Sequence, residues 1–191
     1  FTPTPTETDG LVIPFSDSPL DRNLITKHTY MLMIQSAKKR IIITTPYFVI
    51  DQELQTALYL QATSGIDIDL IVPGIPDKKY VAVVSEFYYK QLLQFPNVRI
   101  HKFNQGFIHS KILYVDDTHA TVGTTNFDFR SLYLHFENTV WLYQTQSLKA
   151  IKAYLDEAML ASTLLSLSEL RKHNIVYRLY QQALVGFSHL L

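Results

Sequence analysis

The segment that decides the fold is residues 107–126, which read FIHSKILYVDDTHATVGTTN. Apolar and β-branched residues fill much of this segment, and two consecutive aspartates, Asp116 and Asp117, interrupt it. Paired polar turn formers between two strand-like runs are typical of tight turns. The pattern predicts a strand over 107–115, a turn at the aspartates and a second strand over 119–122, which together form a hairpin.

Outside this hairpin the chain alternates between strand patterns and helix patterns. Predicted strands cover 40–45, 66–72, 98–103 and 136–143, and predicted helices cover 18–37, 52–64, 78–95 and 147–160, with one or two more after residue 168. Ser18 and Asp51 are predicted helix N-caps, and Gly65 is predicted to end the second helix in a left-handed conformation. The alternation and the closing hairpin predict an α/β fold with a mixed β-sheet flanked by helices on both faces.

The composition indicates a globular protein. The chain has 191 residues, of which 47% are hydrophobic and 18% are charged, and this balance excludes a disordered chain. Seventeen Lys and Arg residues balance 17 Asp and Glu residues, and this net charge of zero disfavours extended nucleic-acid binding. The absence of cysteine excludes disulfides, thiolate zinc sites and cysteine nucleophiles. No run approaches the roughly 20 apolar residues that cross a bilayer.

The N-terminus resembles a linker. The chain starts with Phe rather than Met, and residues 1–10 read FTPTPTETDG. We therefore expect a fragment of a longer protein, with a linker over 1–10 and one domain over 11–191. Any membrane anchor of that longer protein would lie upstream, and the fragment itself is expected to be soluble and to lack a transmembrane segment.

The candidate chemical groups lie between residues 109 and 137. His109 and Lys111 are two residues apart on a predicted strand, so their side chains leave the same face. An imidazole can act as a nucleophile or a proton donor near neutral pH, and a lysine, a hydroxyl and an amide (Lys111, Thr124 and Asn126) can hold phosphate oxygens. A carboxylate such as Glu137 can fix the tautomer of an imidazole. Because lysine supplies the positive charge, this set of residues requires no metal ion and no other cofactor.

The spacing of these residues resembles the HKD motif of the phospholipase D superfamily, here His109-x-Lys111-x4-Asp116-x6-Gly123-Thr124-x-Asn126. Two further segments resemble bacterial cardiolipin synthases more narrowly, namely Asn126-x-Asp128-x-Arg130-Ser131 and Phe136-Glu137. The resemblance covers about residues 11–191 and matches the second half of such a synthase. It implies the phospholipase D-like sandwich fold. Two departures are Thr124, where the family usually has Ser, and His135, where Asn is more common.

The resemblance implies a phosphatidyltransferase that joins two phosphatidylglycerols and releases glycerol through a phosphohistidine intermediate. In this family two histidines take part in one reaction. The chain would therefore supply one of two half-sites, and its partner would be the N-terminal half of the same protein. Lys111, Thr124 and Asn126 would hold the phosphate, and Glu137 would orient His109. Asp116 belongs to the motif and is counted with the catalytic candidates, although its turn position predicts that it stabilises the hairpin.

Several alternatives stay open at this point. The same motif is compatible with a phospholipase D hydrolase, a dimeric HKD endonuclease or a catalytically silent lipid-binding module. Self-association of the fragment into a homodimer also stays open, as does the choice between nucleophile and general acid for His109. The expected partners are phosphatidylglycerol and a membrane surface, not nucleic acid, and the expected location of the longer protein is the cell membrane.

Overall fold

The computed structural model describes residues 9–20 and 23–188. Its strands are β1 (Leu11–Asp17), β2 (Arg40–Thr44), β3 (Phe48–Val49), β4 (Asp67–Pro73), β5 (Val98–Phe103), β6 (Ile112–Val115), β7 (His119–Gly123), β8 (Phe127–Asp128), β9 (Glu137–Tyr143) and β10 (Ser162–Leu164). Its helices are α1 (Ile25–Ser36), α2 (Gln52–Thr63), α3 (Lys79–Leu92), α4 (Phe129–Tyr133), α5 (Ser147–Leu160), α6 (Leu167–Arg171) and α7 (Ile175–Gly186).

Eight strands form one sheet in the order β1-β9-β7-β6-β2-β4-β5-β10, and β3 pairs with β8 outside it. β2, β4 and β5 run parallel, whereas the other neighbouring pairs in this sheet are antiparallel. The predicted mixed sheet is therefore confirmed. The hairpin of β6 and β7 turns at Asp116 and Asp117, whose φ angles of 52° and 58° suit a tight turn that follows the twist of the strands.

Helices cover both faces of the sheet, as predicted. Ile41, Ile42 and Ile43 of β2 are all buried, and their side chains point alternately to opposite faces. Ile41 and Ile43 belong to a core formed with residues of α1, α2 and α3, among them Tyr30. Ile42 belongs to a second core on the opposite face, where Leu155 of α5 packs. A continuous apolar strand thus connects the two helical layers.

The first helix begins later than predicted. Residues preceding Ser18 form β1, which pairs with β9, and α1 starts only at Ile25. The Asp17 carboxylate accepts hydrogen bonds from the backbone N–H groups of Ile25 and Thr26, at 2.8 and 2.7 Å. The Ser18 hydroxyl instead accepts from the Leu20 N–H at 3.1 Å, so Ser18 is not the helix cap. The helix N-terminus is thus capped by a residue at the end of the preceding strand. Because this residue lies eight positions before the helix, no local sequence motif reveals it.

Other differences concern short or irregular elements. The strand predicted over 107–115 begins only at Ile112, so residues 107–111 lie in the connection between β5 and β6. β3, β8, β10 and α4 were not predicted, because elements of two to five residues are too short to show a periodicity. The Asp51 N-cap is confirmed by its 2.9 Å bond from the Leu54 N–H, and the left-handed Gly65 is confirmed by its φ of +84°.

Two expectations concern the ends of the chain and the membrane. The linker and domain limits stay a prediction, because residues 1–8 lie outside the described residues. None of the helices in the described ranges is long and apolar enough to cross a bilayer.

A buried carboxylate organises the parallel part of the sheet. Asp69 on β4 is fully buried and accepts hydrogen bonds from the guanidinium groups of Arg40 and Arg99, at 2.7 Å each. The His101 ring nitrogen lies 2.8 Å from the same carboxylate. Burial alone would raise the pKa of Asp69, but these partners hold it well below its usual value. Three adjacent strands are thereby tied together by one charge.

Replacing Asp69 by Asn should lower the free energy of unfolding by about 3 kcal/mol at pH 7, because two guanidinium groups lose their buried counter-charge. The depressed pKa makes this contribution largest above the unfolded-state pKa of about 4, and it is lost as the pH falls below that value. Urea unfolding of both proteins between pH 7 and pH 2.5 measures it.

The matched control is Asp67→Asn, since Asp67 lies two residues away on the same strand and its side chain is 50% exposed. We expect this change to cost less than about 1 kcal/mol. Equal losses for the two variants, or a pH-independent loss for Asp69→Asn, would contradict this assignment.

Candidate active site

The candidate residues other than Asp116 lie at one end of neighbouring strands in the sheet. Thr44 at the end of β2 pairs with Ile112 at the start of β6, and Ile112 pairs with Val122 near the end of β7. Gly123 at the end of β7 pairs with Thr139 near the start of β9. The loops that carry residues 109, 111, 124 and 126 therefore lie at the same end of these strands as Glu137, the first residue of β9.

His109 is exposed in the connection between β5 and β6. Its ring lies 5.8 Å from the ring of Phe107, centroid to centroid. Partial desolvation and the charge of Lys111 lower the pKa of His109 below 6.5, while Asp77 acts weakly in the opposite direction. The imidazole is therefore mostly neutral at pH 7, with a nitrogen lone pair available to an electrophile.

Lys111 is buried directly behind this histidine. Its ammonium donates a hydrogen bond of 2.7 Å to the backbone carbonyl oxygen of His109, and only 7% of the residue is exposed. Burial lowers the pKa of Lys111 to about 8, and the nearby carboxylates of Glu137 and Asp128 limit the decrease. The ammonium thus stays mostly protonated at pH 7 and supplies a positive charge close to an exposed imidazole.

Gly123 allows β7 and β9 to approach closely next to the site. A Cβ atom at Gly123 would stand 2.4 Å from the Asn138 carbonyl oxygen, which no side chain tolerates. The following residue, Thr124, makes use of this approach. Its backbone N–H donates to the Asn138 carbonyl at 2.9 Å, and its hydroxyl accepts from the Asn138 N–H at 2.9 Å.

Glu137 contacts residues other than the predicted one. Its buried carboxylate accepts a hydrogen bond from the Thr124 hydroxyl and lies 3.6 Å from His135 Nδ1. Within residues 9–20 and 23–188 no hydrogen bond joins Glu137 to His109, so the predicted orientation of His109 by Glu137 is not observed in this chain. The reason is geometric, since Glu137 starts β9 beside the end of β7, whereas His109 lies in an exposed loop. The contact of His135 with Glu137 is not predicted from the sequence, although two residues that are two apart at the start of a strand can approach each other.

Asn126 follows the end of β7 and lies two residues before Asp128, whose carboxylate acts on Lys111. Its Nδ2 donates to the hydroxyl of Ser131 at 2.8 Å, while its Oδ1 is buried without a hydrogen-bond partner among the described residues. A rotation of the amide by 180° would let its Oδ1 accept a hydrogen bond from the Ser131 hydroxyl. The NH2 group would then occupy the position that Oδ1 has now. Asn126 can therefore present a donor to a bound anion without losing its contact to Ser131.

Asp116 lies at the opposite end of β6. Its carboxylate accepts hydrogen bonds from the backbone N–H groups of Lys38, Lys39 and Arg40, at 2.5, 2.9 and 2.7 Å. Four strand residues separate it from the site edge, a span of about 13 Å. Its place among the catalytic candidates is therefore corrected to a structural role. The expectation that it stabilises the hairpin differs in its partner, because the carboxylate ties the turn to the start of β2.

Comparison with known proteins identifies the family. The sequence model described as "Cardiolipin synthase, PLD-like domain" matches residues 30–159, which is more than half of the chain. The chain belongs to this phospholipase D-like family. A cardiolipin synthase of Halalkalibacterium halodurans is 42% identical over 143 residues, which cover 75% of this chain and 28% of the relative. The phospholipase D-like chain spans between 24% and 37% of the length of its curated relatives.

Solved structures show the same fold. The phosphatidylserine synthase of Haemophilus influenzae superposes with a TM-score of 0.78 at 18% identity, covering 94% of this chain and 48% of that chain. Nuc from Salmonella typhimurium, a phospholipase D family member, superposes with a TM-score of 0.67 at 14% identity, covering 82% and 98%. The phospholipase D-like fold implied by the sequence is thereby confirmed.

A metal ion requires an arrangement of several ligating side chains. No group of three His, Asp or Glu side chains within the described ranges is arranged to hold a metal ion. The expectation that the chemistry needs no metal or other cofactor stays a prediction.

Replacing Lys111 by Met should raise the pKa of His109, because the change removes a nearby positive charge and keeps a side chain of similar length. NMR titration of the His109 ring protons measures this pKa in both proteins. A pKa of His109 that stays the same or falls would show that Lys111 does not set the charge of the imidazole.

Replacing Asp116 by Asn should lower the free energy of unfolding by about 1–2 kcal/mol, because a charged acceptor of three N–H groups becomes a neutral one. Asn also tolerates the left-handed backbone at this position. The pKa of His109, followed by the same NMR titration, should not change. A displaced titration of His109 would mean that Asp116 is coupled to the site after all.

Proposed function

We propose that the chain supplies one of two catalytic half-sites of a phosphatidyltransferase that joins two phosphatidylglycerols to cardiolipin and releases glycerol. The observation that carries the proposal is an exposed imidazole, His109, whose backbone carbonyl accepts a 2.7 Å hydrogen bond from the buried ammonium of Lys111. The membership of the family and the 42% identity to a cardiolipin synthase support the same reaction.

The reaction proceeds in two displacements at one phosphorus atom. In the first, a histidine nitrogen attacks the phosphorus of one phosphatidylglycerol, and glycerol leaves with a proton from the second histidine. In the second, the terminal hydroxyl of another phosphatidylglycerol attacks the phosphohistidine, the P–N bond breaks, and the hydroxyl proton passes to the second histidine. The net reaction exchanges one phosphodiester bond for another, so neither an oxidant nor a nucleotide is required.

Three side chains of this half-site hold the reacting phosphate. Lys111 faces the non-bridging oxygens as a partly desolvated cation, which strengthens its interaction with charge that develops on them. The amide of Asn126 adds hydrogen-bond donors, and the Thr124 hydroxyl adds one when its single hydrogen turns from the Glu137 carboxylate to the phosphate. In this proposal Glu137 positions the Thr124 hydroxyl, to which it is hydrogen-bonded, rather than His109.

The lowered pKa of His109 favours the nucleophilic role over the acidic one. A histidine that is mostly neutral at pH 7 has a free lone pair for attack, whereas a general acid must carry a proton at the start of the cycle. The second histidine then comes from the N-terminal half of the same longer protein. Since both substrates are membrane lipids, that longer protein works at a membrane surface.

The test is lipid mass spectrometry of bacterial cells that lack cardiolipin and express the longer protein. Cardiolipin should appear when His109 is intact and disappear, by at least about 1,000-fold, after His109→Ala, because the covalent intermediate cannot form. His28→Ala is the matched control, since His28 is an exposed histidine on α1.

Three results would contradict the proposal in different ways. Cardiolipin that persists after His109→Ala removes His109 from the reaction. Phosphatidic acid in place of cardiolipin identifies water as the acceptor and the protein as a phospholipase D. An unchanged lipid profile with both proteins rejects lipid as the substrate and favours the endonuclease or the silent lipid-binding module.

A further inference from the structure

A second polar cavity adjoins the candidate active site. It has a volume of about 150 Å³ and shares Asn126 with the catalytic cluster. Its other walls come from the residues after β2, the start of α3 and the segment around α4, namely Tyr47, Val49, Lys78, Tyr80, Val81, Asp128, Arg130 and His135. The reaction at His109, as described above, uses only Asn126 of this set.

Two cations of the cavity form no ion pair with any described residue. Within the described part of the chain, no carboxylate lies within 4 Å of the Lys78 ammonium or the Arg130 guanidinium, in contrast to Lys27, Arg40, Arg99 and Lys152. The Lys78 ammonium lies 5.2 Å from the centroid of the Tyr47 ring, and the Tyr47 hydroxyl donates to Asp77 at 2.5 Å. Both cations are thus held at the wall of a cavity and are free to bind an anion.

The one carboxylate of the cavity wall is engaged elsewhere. Asp128 is buried and accepts a hydrogen bond of 2.7 Å from the Ser131 N–H. Burial raises the pKa of Asp128 and so disfavours its charged form. Asp128 therefore competes less with a bound anion for the two cations. Two cations therefore face one partly satisfied carboxylate, and the cavity favours an anion over a neutral ligand.

We propose that this cavity binds the phosphodiester of the acceptor phosphatidylglycerol, with Lys78 and Arg130 as its ligands. The inference rests on the proposed function and adds a second phosphate site to it. The product carries two phosphodiesters joined by one glycerol, so the acceptor phosphate must lie one glycerol away from the reacting phosphorus. A cavity that shares a wall residue with the reacting site meets this requirement, and the guanidinium of Arg130 suits two phosphate oxygens at once.

This second site determines what the phosphohistidine reacts with. Water and free glycerol carry no phosphate, so neither gains anything from Lys78 or Arg130. Phosphatidylglycerol does gain, because its charge is bound while its terminal hydroxyl reaches the phosphorus. The two cations therefore favour transfer to a lipid over hydrolysis.

The experiment compares products that arise from the same intermediate. The longer protein, intact or as Lys78→Gln/Arg130→Gln, is incubated with phosphatidylglycerol vesicles and isotope-labelled glycerol. Cardiolipin, labelled phosphatidylglycerol and phosphatidic acid then report capture by a lipid, by glycerol and by water. Their ratios do not depend on the first step, so a general loss of activity cancels.

The double variant should lower the ratio of cardiolipin to phosphatidic acid by about tenfold or more, since charge-assisted hydrogen bonds to the acceptor are lost. The ratio of labelled phosphatidylglycerol to phosphatidic acid should stay unchanged. Lys79→Gln is the matched control, because Lys79 is an exposed neighbour that does not line the cavity. The charge-conserving variant Lys78→Arg/Arg130→Lys should keep most of the preference for lipid. If the double variant does not fold, the single variants Lys78→Gln and Arg130→Gln replace it, and each should lower the ratio of cardiolipin to phosphatidic acid.

Two outcomes would overturn the inference while the proposed function survives. One is an unchanged ratio of cardiolipin to phosphatidic acid, and the other is an equal fall in both ratios. If the intact protein forms neither cardiolipin nor phosphatidic acid, the proposed function itself fails and the inference falls with it.

Discussion

The Asp116 carboxylate joins the two parts of the sheet. It lies at the turn of the β6–β7 hairpin and binds three consecutive N–H groups where β2 begins. This contact sets the register between the antiparallel part of the sheet and the parallel part, because β2 and β6 are neighbours. A slip of one residue between these strands would reverse which side chains face each helical layer. The position of every site residue at the opposite end depends on this register.

Lys111 and His109, the two basic residues of the site, differ in burial. Lys111 is enclosed and keeps most of its positive charge, whereas His109 is exposed. The ammonium lowers the pKa of the imidazole and so favours its neutral form. The carboxylate of Glu137 limits the decrease in the pKa of Lys111 and binds the Thr124 hydroxyl. The buried carboxylate of Glu137 thus acts on the Lys111 ammonium and binds the Thr124 hydroxyl, and within the described residues it forms no hydrogen bond to His109.

The sequence predicted the elements whose signals are local. Three features could be predicted from a few neighbouring residues, and all three are confirmed. They are the apolar run at β2, the Asp51 cap and the paired aspartates of the hairpin. The site residues could be selected because their chemistry is unusual at that spacing. The failures concern partners that are distant in sequence. Neither the capping of α1 by Asp17 nor the pairing of Glu137 with Thr124 follows from a local pattern, because both depend on which strands are neighbours in the sheet.

The bond from Lys111 to the backbone of His109 has a mechanical consequence. The ammonium is fastened to the carbonyl of the same residue whose imidazole it influences, across a single intervening residue. The hydrogen bond and the short chain segment between the two residues close a small ring, which holds the ammonium close to the residue whose pKa it lowers. The conformation of the loop and the charge near the imidazole are therefore set by the same contact.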